Sequence, residues 1–304
     1  MTRQSAIVAF LLMALMSPSI ADQQFAVVTP DWVASHAADP AVRILDVRPE
    51  ARDYFIGHVP NAVNLADCTM RGPKDGMPVQ YLPVSVQAEL LKRAGVQNNQ
   101  TVVLYSDGPN VVGPATVAYV LERMGHPDVK IMDGGWTAYK AIHKSSQQYP
   151  SYKPGKLAAR EARIYVTLAD VKKAMGRPEI TMIDARSSKA YSGQEDTWMR
   201  NGHIPGAINI DWHSLMEADN PHKFKSVEQA QAIFDANGVK KTNSIIVYCG
   251  TSREASLEYA VLKHLLGYPD VRLYEGSWTE YSSHPELPVE TGSGRTLDTD
   301  SVGP

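Results

Sequence analysis

The chain has 304 residues, of which 43% are hydrophobic and 21% charged, and 30 basic against 33 acidic residues give a formal net charge of -3. This composition excludes disordered, fibrous and coiled-coil proteins, and the near balance of charge excludes a general attraction to nucleic acid. The length suits about two domains of roughly 100–200 residues each. Two cysteines, Cys68 and Cys249, are too few for a disulfide scaffold or a four-cysteine zinc site.

The first residues of the chain, Met1–Ala21, have the pattern of a cleavable secretory signal peptide. Arg3 supplies a positive start, Ala6–Met16 is an apolar run of eleven residues, and small residues flank Ile20 at the predicted cleavage site. The alternative is a membrane anchor, but a spanning helix needs roughly 20 apolar residues. We therefore expect a protein that is exported, in a bacterium to the oxidising periplasm, and that keeps no membrane segment after cleavage.

Three motifs recur in the same order in the two halves of the chain. The first motif is Ile44–Arg48 in the first half and Met182–Arg186 in the second. The next is Gly57–Asn64, which recurs as Gly202–Asn209. The last is Asp133–Trp136, which recurs as Glu275–Trp278. Seven extra residues precede the second Gly-His motif. The repeat predicts two tandem domains at 25–143 and 163–290, a linker at 144–162 and a flexible tail at 291–304.

Each copy is predicted to alternate strands with helices. Thr29 and Thr167 are suitable N-caps, and Pro30 suits the first helical position. Four short apolar runs are typical of buried parallel strands, namely Ile44–Val47, Thr101–Tyr105, Thr181–Ile183 and Ser244–Tyr248. A helix that stops at Gly267 is expected after the last of them. We therefore predict an α/β fold of two domains, each a mainly parallel sheet with helices on both faces.

Cys249 stands between the last predicted strand and a predicted helix. Reactive groups of open α/β sheets gather at the carboxyl ends of the strands. Loop amides and the positive end of the helix would stabilise a thiolate there, so we predict a nucleophile whose pKa lies below the usual value of about 8.5. The N–H groups expected around the sulfur are those of Gly250, Thr251, Ser252, Arg253 and Glu254.

Four features of the sequence together resemble the rhodanese family. They are the Asp-x-Arg strand ends, the Gly-His-Ile-Pro-Gly-Ala-Ile-Asn motif, the strand–Cys–loop–helix segment and the Gly-x-Trp motif. The layout over residues 25–290 resembles two-domain sulfurtransferases, with an inactive N-terminal and a catalytic C-terminal copy. The resemblance implies that Cys249 takes a sulfur atom from thiosulfate or mercaptopyruvate, becomes a persulfide and passes the sulfur to cyanide or a thiol. The implied partners are thus a small anionic sulfur donor and a thiophilic acceptor.

The first copy has a serine where the second has its cysteine, because Tyr105-Ser106 aligns with Tyr248-Cys249. Pro109 in the loop that follows has no N–H to offer a sulfur atom. No base is evident beside Ser106. We therefore expect the first copy to be a structural partner that forms one wall of the cleft.

Three positions depart from the pattern of the family. Ser252 stands where many family loops have glycine, and serine is less free to adopt a positive φ. Ala190 stands where well-studied relatives place a substrate-binding arginine, and Glu254 stands where many have threonine or arginine. A carboxylate at position 254 would oppose a dianionic donor unless it points away from the loop.

An anionic donor needs a cation to receive it. Arg253 is the first candidate because it stays near the loop, Arg200 precedes the Gly-His motif, and Lys189 is a third candidate. The planar fork of arginine suits a bidentate contact with an oxyanion. The alternative for each of the three is a solvated surface charge.

Asp184 and Arg186 could support the catalytic loop through hydrogen bonds. The first copy keeps both as Asp46 and Arg48 although it has no cysteine, which favours a mainly structural role.

Cys68 has no counterpart in the second copy. It is either an unpaired thiol or a resolving thiol or disulfide partner for Cys249, which requires Cα atoms within about 7 Å of each other.

Two other functions remain open. A phosphatase or arsenate reductase would need a Cys-x5-Arg loop, but the sixth residue after Cys249 is Ala255. A sulfur-carrying or partner-binding module without turnover would keep the fold, and the altered donor site is compatible with it. The sequence contains no metal-ligand cluster, phosphate-binding glycine loop or dinucleotide fingerprint, so neither a metal nor a cofactor is expected.

Overall fold

The computed structural model describes residues 24–293, so the predicted signal peptide Met1–Ala21 and nearly all of the predicted tail lie outside the described residues. The strands of the first half are β1 (Gln24–Val28), β2 (Val42–Asp46), β3 (Val63–Asn64), β4 (Arg71–Lys74), β5 (Met77–Tyr81), β6 (Thr101–Tyr105) and β7 (Asp128–Met132). Its helices are α1 (Pro30–His36), α2 (Ala51–Ile56), α3 (Val84–Arg93), α4 (Gly113–Arg123) and α5 (Gly135–Ile142).

The second half repeats this arrangement without the β4–β5 hairpin. Its strands are β8 (Tyr165–Val166), β9 (Ile180–Asp184), β10 (Ile208–Asn209), β11 (Ser244–Tyr248) and β12 (Val271–Tyr274). Its helices are α6 (Leu168–Ala174), α7 (Ser188–Ser192), α8 (Val227–Ala236), α9 (Arg253–Ala260) and α10 (Ser277–Ser282).

The two main sheets have the same strand order. The first runs β1-β7-β6-β2-β3 and the second β8-β12-β11-β9-β10, and all neighbouring strands in both are parallel. The predicted α/β class with two parallel-sheet domains is confirmed. The central strands β6 and β11 are those followed by Ser106 and Cys249, so each loop leaves the middle of its sheet.

Local signals in the sequence account for most element boundaries. Thr29 accepts a hydrogen bond from the Trp32 amide, and Thr167 forms a capping box with Asp170. The helix predicted after Cys249 is regular only as far as Ala260, because the next turn, Val261–Leu265, is a π-helix.

The domains meet where α4 packs on α9. The Thr116 and Ser256 hydroxyl groups lie 3.2 Å apart, and the rings of Tyr119 and Tyr259 meet edge to face. The carboxylate of Glu122 on α4 binds three side chains of the second domain, those of Tyr259, Lys263 and His264. One hydrophobic core runs through both halves. The loop after β11 is therefore held against the first domain.

Candidate active site

Cys249 is completely buried at the start of the loop between β11 and α9. Its amide donates to the Ser277 hydroxyl at 3.3 Å, and its carbonyl accepts from the Trp278 amide at 2.9 Å. The Ser106 carbonyl accepts in the same way from the Trp136 amide at 2.9 Å. Ser106 and Cys249 thus occupy equivalent places in the two domains.

The loop after Cys249 forms in spite of the missing glycine. Ser252 adopts the left-handed backbone conformation, with φ 66°, at a cost of roughly 1–2 kcal/mol for a residue with a side chain. The amide N–H groups of Thr251 and Ala255 point to the sulfur. Ala255 is not among the five predicted donors, although its place in the first turn of α9 leaves its N–H without a helical partner.

Glu254 faces the nucleophile, since its carboxylate lies in hydrogen-bonding contact with the Cys249 thiol. Burial raises the pKa of Cys249, the charge of Glu254 raises it further, and the amides of Ala255 and Thr251 oppose both effects. The predicted lowering of this pKa is therefore wrong for this structure, in which the sulfur is removed from water and lies beside a carboxylate. Burial also raises the pKa of Glu254 itself.

We expect Glu254→Gln to lower the pKa of Cys249, because the substitution removes an adjacent anion and keeps the size of the side chain. Alkylation by iodoacetamide at neutral pH should become about tenfold faster, which is the order of effect of one neighbouring charge. The measurement is the alkylation rate as a function of pH. The matched control is Glu258→Gln, one turn along α9, whose buried carboxylate has no hydrogen-bond partner within residues 24–293. Identical pH profiles for the two variants would contradict the role given to Glu254.

Arg200 is not available to a donor in this structure, which corrects the prediction that it receives the anion. All three guanidinium nitrogens already donate to main-chain carbonyls at the end of the second domain, those of Tyr281, Ser282, His284 and Leu287. The carbonyls of Tyr281 and His284 also accept from main-chain amides, so Arg200 binds a set of carbonyls in the turns at the end of the domain. Lys189 is exposed on α7, as expected of a solvated surface charge.

Arg253 stays beside the loop, where it contacts the first domain. Its guanidinium forms an ion pair with Asp67 at 2.7 Å and a hydrogen bond with Asn110. Asp67 is itself buried, with 1% of its side chain exposed, so this contact fixes one end of the catalytic loop on the neighbouring domain.

Asp184 and Arg186 form a buried ion pair at the end of β9, with 2.5 Å between them. Arg186 also donates to the Gly202 carbonyl at 2.7 Å and lies over the Trp278 ring, 4.7 Å from its centre. In the first domain Arg48 makes the corresponding contacts, with Asp46, Gly57 and Trp136. The same ion pair occurs in the domain that has Ser106 instead of a cysteine. This favours the structural interpretation, in which the ion pair holds the turn of the Gly-His motif.

Sequence reasoning missed two side chains of the β4–β5 hairpin. Arg71 donates to the Thr251 carbonyl at 2.5 Å, and the Tyr81 hydroxyl lies against Ser252. The available signal was the Asp75-Gly76 turn, typical of a two-residue hairpin, in a segment that only one copy possesses.

Trp198, within the seven-residue insertion of the second copy, was also missed. Its indole packs directly on Gly250, because a Cβ atom added there would lie 2.6 Å from the ring. The insertion thus covers the loop at Gly250. Cys68 is a free, exposed cysteine next to Asp67, and its role as a resolving thiol stays a prediction.

Known proteins share both the sequence pattern and the fold. Residues 29–142 and 167–284 each match the rhodanese-like domain family. A Synechococcus elongatus protein provisionally named a thiosulfate sulfurtransferase is 44% identical, over 92% of this chain and 90% of its own length. The sulfur carrier protein TtuD of Thermus thermophilus is 32% identical, over 87% of this chain and 96% of its own.

A solved structure shows the same architecture. SseA from Escherichia coli, described with the mechanism of 3-mercaptopyruvate sulfotransferases, superposes with a TM-score of 0.75 at 27% identity, over 83% of this chain and 98% of its own. Within residues 24–293, none of the helices combines the length and apolar character needed to cross a bilayer. The same residues contain no group of three or more His, Cys, Asp and Glu side chains that could hold a metal ion.

Proposed function

Because this chain belongs to the rhodanese family and is a sulfurtransferase of two such domains in tandem, we propose that it carries sulfur as a persulfide of Cys249. The donor is thiosulfate or mercaptopyruvate, and the acceptor is cyanide or a thiol. The observation that carries the proposal is the place of Cys249, at the end of the central strand with two amides directed at its sulfur.

In the first half-reaction the Cys249 sulfur attacks the transferable sulfur of the donor. A new S–S bond forms, the donor's bond to that sulfur breaks, and sulfite or the enolate of pyruvate leaves with the electron pair. The thiol proton ends on the leaving group. The N–H groups of Thr251 and Ala255 can stabilise negative charge on either sulfur of the persulfide.

In the second half-reaction the acceptor attacks the outer sulfur of the persulfide. With cyanide, a C–S bond forms, the S–S bond breaks and thiocyanate leaves, which returns Cys249 as a thiolate that regains a proton. The charge of Glu254 raises the pKa of this thiol. It therefore favours a resting state in which Cys249 is protonated, unlike a nucleophile that is permanently ionised.

We also propose that Met1–Ala21 directs export to the periplasm. The support is the order of a positive residue, an apolar run and small residues in the sequence.

One experiment tests both the export and the persulfide. The full chain is expressed in a bacterium, and the protein in the periplasmic fraction should begin near Asp22. After treatment with thiosulfate or mercaptopyruvate, its intact mass should rise by one sulfur atom, located on the peptide that contains Cys249. If neither donor adds sulfur to that peptide, the proposed function is wrong; a chain that retains Met1 in the cytoplasm contradicts the export alone.

A second candidate is a sulfur carrier or partner-binding module without turnover. The observation that favours it is the complete burial of Cys249, in a loop that Asp67 and Arg71 of the first domain contact. Such a protein would take up one sulfur atom per chain and release it without repeated cycles.

A further inference from the structure

The contact between the domains buries three hydrogen-bond donors that find no acceptor within residues 24–293. They are Nε of Arg71, the hydroxyl of Tyr81 and Nε of Arg253. Burying a donor without a partner costs free energy, which a bound acceptor would restore. Three such donors close together can receive oxygen atoms that carry negative charge.

All three donors belong to the surroundings of the nucleophile. The Arg71 guanidinium lies 5.7 Å from the centre of the Tyr81 ring and within electrostatic reach of Cys249 and Arg253. Tyr81 is 5% exposed and lies against Ser252, three residues after the cysteine.

Arg71 supplies the positive charge that a donor can use. The charge of Arg253 is balanced by its ion pair with Asp67. Arg71 instead donates to the carbonyl oxygens of Val79 and Thr251, both at 2.5 Å, and forms no ion pair with any carboxylate of the described chain. Carbonyl groups orient a guanidinium without neutralising it, so the charge of Arg71 is offset only by the more distant Asp67, which is already paired with Arg253.

We propose that Arg71 and Tyr81, together with Arg253, bind the oxyanion head group of the sulfur donor, so that the N-terminal domain supplies the donor-recognition half of the site. This assignment rests on the proposed function. The head group is the sulfonate of thiosulfate or the carboxylate of mercaptopyruvate, and both offer charged oxygens to a guanidinium and a hydroxyl. The second domain has Ala190 where related enzymes place a substrate-binding arginine, and Arg71 supplies a guanidinium from the first domain instead.

Binding without chemistry tests the proposal. In a Cys249→Ser background, which cannot react, calorimetry measures the Kd for thiosulfate and separately for mercaptopyruvate. Adding Arg71→Gln should weaken binding by about ten- to a hundredfold, the effect of a hydrogen bond to a charged group. Tyr81→Phe keeps the buried ring and should weaken it by roughly three- to tenfold. Arg93→Gln, an exposed change on α3 of the same domain, is the matched control and should leave the Kd unchanged.

Kinetics in the wild-type background separates recognition from a general loss of structure. Arg71→Gln should lower kcat/KM for the donor while the preloaded persulfide reacts with cyanide at the wild-type rate. Equal losses in both half-reactions, a Kd within twofold of the parent, or no binding of either anion by the parent would overturn the inference. If wild-type Cys249 takes up no sulfur, the proposed function fails, yet the Cys249→Ser titrations still decide whether Arg71 binds the anion.

Discussion

Replacing Cys249 by serine should abolish sulfur transfer, with kcat/KM for either donor at least about a thousandfold below wild type, as expected when a nucleophile is removed. A serine hydroxyl stays protonated and forms no persulfide. The first domain already shows this state, since Ser106 occupies the equivalent place, is fully buried, and its hydroxyl has no hydrogen-bond partner within residues 24–293. The measurement is the steady-state production of thiocyanate from donor and cyanide.

The matched control is Cys68→Ser, which removes the other thiol from an exposed site. It should keep near wild-type turnover with cyanide. If Cys68→Ser eliminates turnover and Cys249→Ser does not, the assignment of the nucleophile is wrong. A wild-type protein that loads one sulfur on Cys249 but does not turn over would instead favour the carrier function.

Replacing Arg186 by methionine should lower the free energy of unfolding by about 3–5 kcal/mol, the usual cost of breaking a buried ion pair from one side. The variant leaves Asp184, which is completely buried, without its cation and deprives the Gly202 carbonyl of a donor. Urea unfolding followed by circular dichroism measures the change.

The repeat provides a matched comparison for this loss. Arg48→Met removes the corresponding pair from the first domain, where Asp46 is equally buried, and should destabilise the protein by a similar amount. A double change of Asp184→Leu with Arg186→Met should cost less than Arg186→Met alone, because no charge remains buried. A loss under about 1 kcal/mol for the single variant would contradict a structural role for the pair.

The fold was predictable because its signals are local and occur twice. Strands Thr101–Tyr105 and Ser244–Tyr248 were predicted with their observed bounds, since β-branched runs between polar turns mark buried strands. The place of Cys249 followed from topology, because the carboxyl ends of parallel strands meet at one edge of the sheet.

The electrostatics of the site could not be predicted in the same way. The pKa of Cys249 depends on what covers the sulfur, and the direction of the Glu254 side chain depends on where α9 begins. The contact of Arg71 with Thr251 joins residues 180 positions apart through a hairpin that the second copy lacks. Arg200 shows a different kind of error. Its place before the Gly-His motif suggested that it binds the donor, but its guanidinium binds main-chain carbonyls instead.

The packing of α4 on α9 bears on how a chain of this kind arises. These helices follow the equivalent strands β6 and β11. Asn110 and Arg253 hold equivalent positions after those strands, and their side chains form a hydrogen bond with each other. Two identical copies joined by the same surfaces would form a closed homodimer with twofold symmetry. A duplicated gene inherits that dimer in a single polypeptide, and one copy is then free to lose its thiol while it continues to complete its neighbour.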